Sequence, residues 1–316
     1  MLGCGTRTFT DPDEYCAHFP GANISLVVTG NDEFRARVVW VNLHRLSLAT
    51  IEERAPRVAF VSLSPTRIFA SFPLRSDPPV FINGVRLRRG EIVLHAQGEQ
   101  FHQRSTGLTR RGLISLAARD FADYGKALLG ASLVLPPTAS IVRPPRNVTT
   151  QIMRVHRQAC ELAMEKPEMI AHREVARAIE QDLISALVSG LGVGTICICS
   201  KTRRRHAEIM AHFEGALAQQ HARHIPGPEL SRALGVPERT LRMYCMAFLG
   251  RGPADYARLR RLNHVRSALA HSDPAQTNVA TIAREHGFSE PGRFSAIYRA
   301  VFGEMPSTTL RRGCAT

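Results

Sequence analysis

The last hundred residues of the chain contain the same short pattern twice, about fifty residues apart. Each copy has an apolar residue, a small residue directly after it, and a glycine four positions beyond the small residue. The small residue lets two helices approach, and the glycine tolerates the positive φ that turns the chain between them. The pattern predicts two helix-turn-helix units, each with a second helix suited to a DNA major groove. The matching residues are Leu230, Ser231, Gly235, Val236, Pro237 and Leu241 in the first copy, and Ile282, Ala283, Gly287, Phe288, Ser289 and Phe294 in the second.

The flanking residues place the helices of each unit. Pro237 suits a helix start, because its missing N–H has no partner there in any case. Ser289 is expected to cap the second recognition helix. Each recognition helix is followed by a Gly-x-x-Pro sequence, which begins at Gly250 and at Gly303. The apolar spacing between the units predicts a linker helix of ~27 Å. The predicted helices are 229–234, 237–249, 254–271, 281–286 and 289–302.

In motif order, spacing and linker helix, residues 206–312 resemble the DNA-binding domain of the AraC/XylS family of bacterial transcription regulators. The resemblance implies a regulator that binds bipartite half-sites in successive major grooves, with a front domain for effector binding and dimerisation. Members of this family usually activate transcription, so the resemblance implies an activator, and repression is the alternative. The strongest matches are Gly250, Pro253, Tyr256, Arg261, Leu262, Ile282, Ala283, Gly287, Phe288, Ser289, Phe294, Ser295, Phe302, Gly303 and Pro306.

The same resemblance places base-contacting positions on both recognition helices. On the first helix they are Arg239, Arg242 and Met243. Arginine can bind guanine through two hydrogen bonds, although contact with phosphate alone is the alternative. Met243 suits either a thymine methyl group or the protein core. The second helix carries few long polar side chains, so we expect the first helix to read bases and the second to bind phosphate. The second set is Pro291, Gly292, Ser295 and Ala296, with Arg293 beside them.

The front of the chain is predicted to be rich in strands. Asn83-Gly84 separates two strand-like runs, and both positions of a type I′ hairpin turn need positive φ. Helical spacing of apolar residues follows over 148–162 and 175–187. The fold class is therefore α+β, with a cupin-like β-barrel, a helical connector, and an all-α domain of two helix-turn-helix units. We place the regulatory domain at 1–145, the helical dimerisation region and linker at 146–205, and the DNA-binding domain at 206–316. The linker proper is expected at 190–205, and the two helices before it either form a dimer interface or only cap the barrel.

The formal net charge of +14 favours a polyanionic partner. From position 206 onward, 14 arginines and nine acidic residues contribute only +5 of it, so charge alone does not locate a nucleic-acid face. The seven cysteines show no C-x-x-C pair, which is typical of reduced thiols. No signal peptide or membrane span is apparent, and we expect a cytoplasmic, nucleoid-associated bacterial protein without a cofactor. Its expected partners are promoter DNA, RNA polymerase, a small-molecule effector and a second copy of the chain.

Other classes remain open at this point. His95, Glu99 and His102 have the residue types of a metal site, which would suit a metal-binding cupin-like enzyme fused to a DNA-binding domain. A repair methyltransferase would need a cysteine cluster, and Cys4 and Cys16 alone do not supply one. A nonspecific architectural protein would bind DNA without preference for any site. Paired arginines on one recognition helix argue against that last class, and we predict no catalytic residues.

Overall fold

The computed structural model describes residues 2–130, 138–198, 201–219 and 226–312. Strands dominate the first part of the chain and helices the last. The described strands are β1 Gly3–Phe9, β2 Ala22–Val28, β3 Ala36–Asn42, β4 Leu46–Glu53, β5 Arg57–Leu63, β6 Arg67–Pro73, β7 Val80–Ile82, β8 Val85–Arg86, β9 Ile92–His95, β10 Gln100–Ser105, β11 Thr109–Ala117, β12 Ser140–Arg143 and β13 Thr195–Ile198. The described helices are α1 Pro12–Ala17, α2 Ala118–Leu129, α3 Arg146–Glu165, α4 Pro167–Ala171, α5 Arg173–Val193, α6 Lys201–Gln219, α7 Gly227–Leu234, α8 Glu238–Leu249, α9 Pro253–Ala270, α10 Val279–Glu285, α11 Pro291–Phe302 and α12 Pro306–Arg312.

The described strands form two antiparallel sheets rather than the single closed barrel predicted from the sequence. The larger sheet has the order β1-β3-β4-β11-β6-β9-β12-β13, and the smaller has the order β2-β5-β10-β7-β8. The chain crosses between the sheets several times: β4 and β6 both pair with β11 in the larger sheet, whereas the intervening β5 pairs with β10 in the smaller one. Each sheet therefore keeps two edges. The alternation of apolar and polar residues along a strand indicates which of its faces is buried, but it does not specify which strands pair with it. For this reason the sequence could not predict the division into two sheets.

The two faces of the larger sheet bury different neighbours. On β6, Phe69 packs with Val61 and Phe101 of the smaller sheet, whereas Ile68 and Ala70 pack on the opposite side, toward the connector helices. This is the period of two that a strand imposes on its side chains. The predicted hairpin is confirmed, since β7 and β8 pair across a turn in which both central residues have positive φ: 46° for Asn83 and 76° for Gly84.

Helices α3 and α5 cover the side of the larger sheet that faces away from the smaller one. Both contribute buried apolar residues to one cluster with the sheet, including Ile152 and Val155 of α3 and Leu183 and Leu187 of α5. The expected linker at 190–205 is not an irregular segment. It contains the end of α5, strand β13 paired with β12, and the start of α6. Residues 199 and 200 lie outside the described part of the chain.

The sheets and the C-terminal helices share a continuous core. Val28 and Phe34 from the strand-rich part belong to the same buried cluster as Leu259 and Leu262 of α9. Asn263 adds polar contacts across this boundary: its Oδ1 accepts from the Val28 amide at 2.9 Å, and its Nδ2 donates to the Val28 carbonyl at 3.1 Å. The two parts are thus packed directly on each other. Among the described helices, none is both long and apolar enough to span a bilayer.

Candidate DNA-binding interface

The first helix-turn-helix unit consists of α7 and α8. Gly235 follows α7 with φ of 62°, a left-handed conformation that glycine adopts without a Cβ clash. Leu230 of α7 and Leu241 of α8 are almost completely buried in the same cluster, which holds the two helices together. The second helix begins one residue after the predicted Pro237 and ends at the predicted Leu249. The first copy of the sequence pattern therefore folds as predicted.

The second unit consists of α10 and α11. Gly287 turns the chain with φ of 79°, which confirms the second copy of the pattern. The predicted cap at Ser289 is wrong. Helix α11 begins at Pro291, and Glu290 occupies the cap position without a side-chain hydrogen bond. The side-chain cap of this unit lies earlier, where the Asn278 carboxamide oxygen accepts a hydrogen bond from the Thr281 amide at 3.0 Å and satisfies a free N–H of α10.

Helix α9 joins the two units as predicted. All five residues of its predicted apolar face are buried. The repeated helix ends also fold alike, since Gly250 after α8 and Gly303 after α11 have φ of 72° and 73°. Each of these glycines donates its amide hydrogen to a carbonyl four residues earlier, which closes the last turn. The buried face of α9 is Tyr256, Leu259, Leu262, Val265 and Leu269.

The positions that we predicted to contact bases are accessible on the described surface. Arg239 and Arg242 are exposed on α8, whereas Leu241 and Cys245 of the same helix are buried. The side chain of Met243 is 57% exposed, which excludes the core role considered for it. On α11, all five positions are accessible, although Ser295 is only partly so; the exposed ones are Pro291, Gly292, Arg293 and Ala296. The N-terminal half of each recognition helix is thus free to enter a groove.

The apolar side of α8 and α11 is structural. Burial and, to a smaller extent, the negative charge of Glu214 together raise the pKa of the Cys245 thiol to about 12, so Cys245 is not a reactive thiolate. Phe288 is only half-buried, with the guanidinium of Arg261 5.2 Å from its ring centre. Thr309 is buried and its hydroxyl lies 2.8 Å from that of Tyr298. Five large apolar or aromatic side chains of these two helices are buried: Leu241, Phe248, Phe294, Tyr298 and Phe302.

A buried polar network joins the sheets to helices α6 and α9. Glu214 of α6 accepts a hydrogen bond from the Tyr256 hydroxyl at 2.6 Å and forms an ion pair with Arg260. Its Oε1 also lies 3.0 Å from Nε2 of His102 on β10. Burial alone raises the pKa of Glu214, but the hydrogen bond from His102 and the charges of His102 and Arg260 outweigh burial and lower it. The network therefore holds a carboxylate in the shared core.

Glu214 was not among the predicted functional residues, although the sequence contains a signal for it. Met210, Phe213 and Leu217 mark the buried face of α6, and Glu214 lies on that face at helical spacing. An acidic residue on an apolar helix face is rarely buried without a partner. That rule predicts a cation opposite Glu214, but the partners lie on other elements and come from distant parts of the chain.

The proposed metal ligands do not converge. His95 lies 3.1 Å from Glu99 and 3.0 Å from the Ser71 hydroxyl, whereas His102 faces Glu214. Within the described ranges, the only group whose ligand atoms lie close enough together for a metal ion is a different one, Asp11, Asp13 and His271. The metal-enzyme alternative therefore loses the residues on which it depended.

Two helix-turn-helix units on a shared linker helix, with arginines exposed on a recognition helix, define a DNA-binding protein. Residues 230–312 match the family described as a helix-turn-helix domain. The XylDLEGF operon transcriptional activator 1 of Pseudomonas putida is 41% identical over 63 residues, which are 20% of this chain and 19% of that protein. The probable thc operon regulatory protein of Rhodococcus erythropolis is 35% identical over 83 residues, 26% of this chain and 25% of that protein.

A solved structure, described as a probable AraC family transcriptional regulator from Rhodopseudomonas palustris, is 30% identical. The match covers 34% of this chain and 97% of that one, with a TM-score of 0.31. The chain belongs to the AraC/XylS family of transcription regulators. The two curated relatives are matched over only about a fifth to a quarter of their length, so the likeness to them concerns the DNA-binding domain.

Proposed function

We propose that the protein is a sequence-specific transcription activator that binds promoter DNA in the bacterial cytoplasm and responds to a small-molecule effector. The observation that carries the proposal is the exposure of Arg239 and Arg242 on the N-terminal half of α8. Recognition helices contact base edges through their N-terminal residues, and arginine is the commonest reader of guanine. The comparison with operon activators supports activation, and repression is the alternative within the same family.

The two recognition helices have different roles in this proposal. Helix α8 reads bases through Arg239, Arg242 and Met243, whereas α11 offers one arginine, Arg293, among small residues. The neighbours of Arg293 offer no further guanidinium group to read guanine, so we assign Arg293 to phosphate contact and α11 to positioning of the domain. The linker helix α9 has 18 residues and a length of ~27 Å, and it places the two helices in successive grooves of one bipartite half-site.

The test compares Arg242→Ala with Arg293→Ala on DNA sites selected by the wild-type protein from a random pool. We expect Arg242→Ala to cost about 1–3 kcal/mol on the selected site and to relax specificity at one base pair. We expect Arg293→Ala to weaken all sites alike and to reduce the salt dependence of binding by roughly one ion. Fluorescence anisotropy on matched and single-base-mutated sites separates the two effects.

Arg119→Ala is the control, because Arg119 is an exposed arginine of α2, outside the DNA-binding domain and outside the proposed dimer surface. It should leave affinity and specificity unchanged. A greater loss of specificity in Arg293→Ala than in Arg242→Ala would refute the division of roles. A selection that yields no preferred site would refute sequence-specific binding and favour the architectural alternative.

The front of the chain supplies regulation in this proposal. We assign residues 1–145 to effector binding, 146–205 to the connector and 206–316 to DNA binding. Helices α3 and α5 of the connector form the dimer surface, so that two copies occupy adjacent half-sites and contact RNA polymerase. A monomer at micromolar concentration in sedimentation velocity would contradict the dimer. A reporter gene downstream of a mapped site distinguishes activation from repression.

The space between the two sheets is small for an effector. A cavity of about 80 Å³ lies there, lined mainly by apolar side chains with His95, Gln103 and Arg111 among them. Pockets for small molecules usually have ~300–1,000 Å³. An effector could therefore bind between the sheets, as in a cupin-like barrel, only if the sheets moved apart. A larger groove beside helix α3 has enough volume for a small molecule without such a movement.

A further inference from the structure

A groove of about 940 Å³ runs between helix α3 and the adjoining ends of the larger sheet. Seven arginines line it, against two glutamates, Glu91 and Glu161. The lining therefore carries a net charge of +5, in a chain whose total is +14. We call this surface the arginine groove. Its arginines are Arg88, Arg89, Arg110, Arg143, Arg146, Arg154 and Arg157.

The fold, rather than a local run of basic residues, assembles the arginine groove. Arg146, Arg154 and Arg157 line one wall from α3, where residues separated by whole turns share a face. Arg110 comes from β11, on another wall. Arg88 comes from the segment that joins β8 to β9, so cationic side chains from separate parts of the chain meet across one concave surface.

Most of this charge is not neutralised by the protein. Glu91 lies 2.8 Å from Arg143, and Glu161 lies 3.8 Å from Arg157. The other five arginines form no ion pair with any residue in the described part of the chain, and Arg110, Arg146 and Arg154 are all exposed toward solvent. Like charges gathered in one concave surface raise its potential and attract anions. A bound anion would relieve this repulsion.

The dimensions indicate which kind of anion the groove suits. From Arg146 to Arg157 the helix rises by ~16 Å, which is more than one phosphate or carboxylate group can bridge. Guanidinium groups bind both of these oxyanions through paired hydrogen bonds. Thr50 and Thr149 add hydroxyl groups to the lining, and Leu74 and Met153 add apolar contact. The lining thus suits a molecule with separated anionic groups and a partly apolar body.

We propose that the arginine groove binds a small polyanion with two or more phosphate or carboxylate groups. A concave surface of this volume matches a small molecule, whereas duplex DNA is read by a convex helix that enters its groove. A ligand held by Arg154 on α3 and by Arg110 on β11 would tie the connector to the larger sheet. The effect of that tie on DNA binding rests on the proposed function, but the binding of the polyanion does not.

Isothermal titration calorimetry on the full chain tests the proposal with tripolyphosphate and citrate as probes and inorganic phosphate as the single-group reference. We expect one site per chain for at least one polyanion, with affinity at least about tenfold above that of inorganic phosphate, because several charge-assisted hydrogen bonds form together. Preference for tripolyphosphate would identify a phosphorylated ligand, and preference for citrate a polycarboxylate. Equal affinity of all three probes would overturn the proposal.

Arg110→Gln and Arg154→Gln should each weaken the preferred polyanion about tenfold or more, since each removes a charged hydrogen-bond donor. Both side chains are exposed, so these variants retain the fold, and Arg119→Gln on α2, outside the groove, is the matched control. Polyanion binding that survives both groove substitutions, or that Arg119→Gln weakens equally, would overturn the groove assignment. So would a result in which neither polyanion binds and the groove variants lose affinity only for DNA.

The outcomes also separate this proposal from the proposed function. A wild-type protein that selects no DNA site but binds a polyanion in the arginine groove would refute the regulator and leave the groove standing. A protein that selects a DNA site but binds neither polyanion would support the regulator and refute the arginine groove as a binding site. Measuring DNA affinity with and without the bound polyanion then shows whether the arginine groove regulates DNA binding. A change in DNA affinity that is present in the wild type and absent in Arg154→Gln would support such regulation.

Discussion

Replacing Glu214 with glutamine removes a carboxylate that three side chains from two other elements share. Arg260 and Tyr256 approach it from α9, and His102 approaches it from β10. The side chain of Glu214 is 2% exposed and that of Arg260 is 10% exposed, so water cannot replace the lost charge. Removal of one partner of a buried ion pair costs about 3–5 kcal/mol. Glutamine keeps the volume and an acceptor oxygen, so we expect the lower end, about 3 kcal/mol.

Urea unfolding with two signals measures this loss. Trp40, the single tryptophan of the chain, lies in β3 and reports on the larger sheet, whereas far-ultraviolet circular dichroism reports mainly on the helices. Because Glu214 belongs to the core that both parts share, both transitions should move to lower urea together. A loss below about 1 kcal/mol would refute the buried-charge reasoning. A shift confined to circular dichroism would show that Glu214 does not link the two parts.

The matched control lies on the same helix. Glu208 of α6 pairs with Arg204 at 2.9 Å, but both side chains are 57% exposed. Exposed ion pairs contribute little, so Glu208→Gln should cost less than ~1 kcal/mol. The pKa of Glu214 lies below its ordinary value of 4.5, so its stabilisation is full above that pH and is lost as the pH falls through the lower, folded pKa. The difference between wild type and Glu214→Gln should therefore shrink in acid.

Two further predictions concern other parts of the chain. Burial alone raises the pKa of Glu53, but the charges of Arg111 and Arg57 outweigh burial and lower it to about 2. Above pH 4.5, Glu53 should therefore contribute roughly 3 kcal/mol to the free energy of unfolding, and this contribution is lost as the pH falls toward 2. Midpoints of urea unfolding that do not change over this pH range would contradict the prediction. Gly215→Ala, in the exposed middle of α6, should raise stability by up to ~1 kcal/mol, whereas Gly235→Ala, at φ of 62°, should lower it by about 1–2 kcal/mol. A Cβ meets no atom within 4 Å at either glycine, so thermal unfolding shifts of the same sign would refute the backbone explanation.

The helix-turn-helix units could be predicted from the sequence because their signals are local. Gly235 and Gly287 adopt the positive φ that the pattern requires, and the Asn83-Gly84 turn does the same for the hairpin. The conformation at each of these positions is determined by the residue itself and its nearest neighbours in the sequence. The failed cap at Ser289 marks the limit of such reasoning, because Pro291 satisfies the helix start without a side-chain bond at the cap.

Partners that are distant in the chain could not be predicted in this way. The pairing of β11 with both β4 and β6 depends on how the strands cross between sheets, so the expected single barrel was wrong. His102 and Glu214 are separated by 112 positions, and neither residue type specifies the other. The same holds for the arginine groove, whose members appeared in the sequence only as part of a diffuse positive charge. The predicted base contacts of Arg239 and Arg242 stay predictions.

Under the proposed function, the contacts of the sheets with the two recognition helices bear on how an effector signal would reach DNA. A Cβ at Gly250, after α8, would lie 3.1 Å from the guanidinium of Arg104 on β10. A Cβ at Gly303, after α11, would lie 3.2 Å from the carbonyl oxygen of Asn31. The strand-rich part therefore approaches both recognition helices at their C-terminal ends, opposite the ends that carry Arg239 and Arg293. Under the proposed function, a movement of the sheets would displace whole recognition helices while their DNA-contacting side chains kept their positions on the helix. The effector signal would then change the placement of the two helices on the duplex, and the base preference of each helix would stay the same.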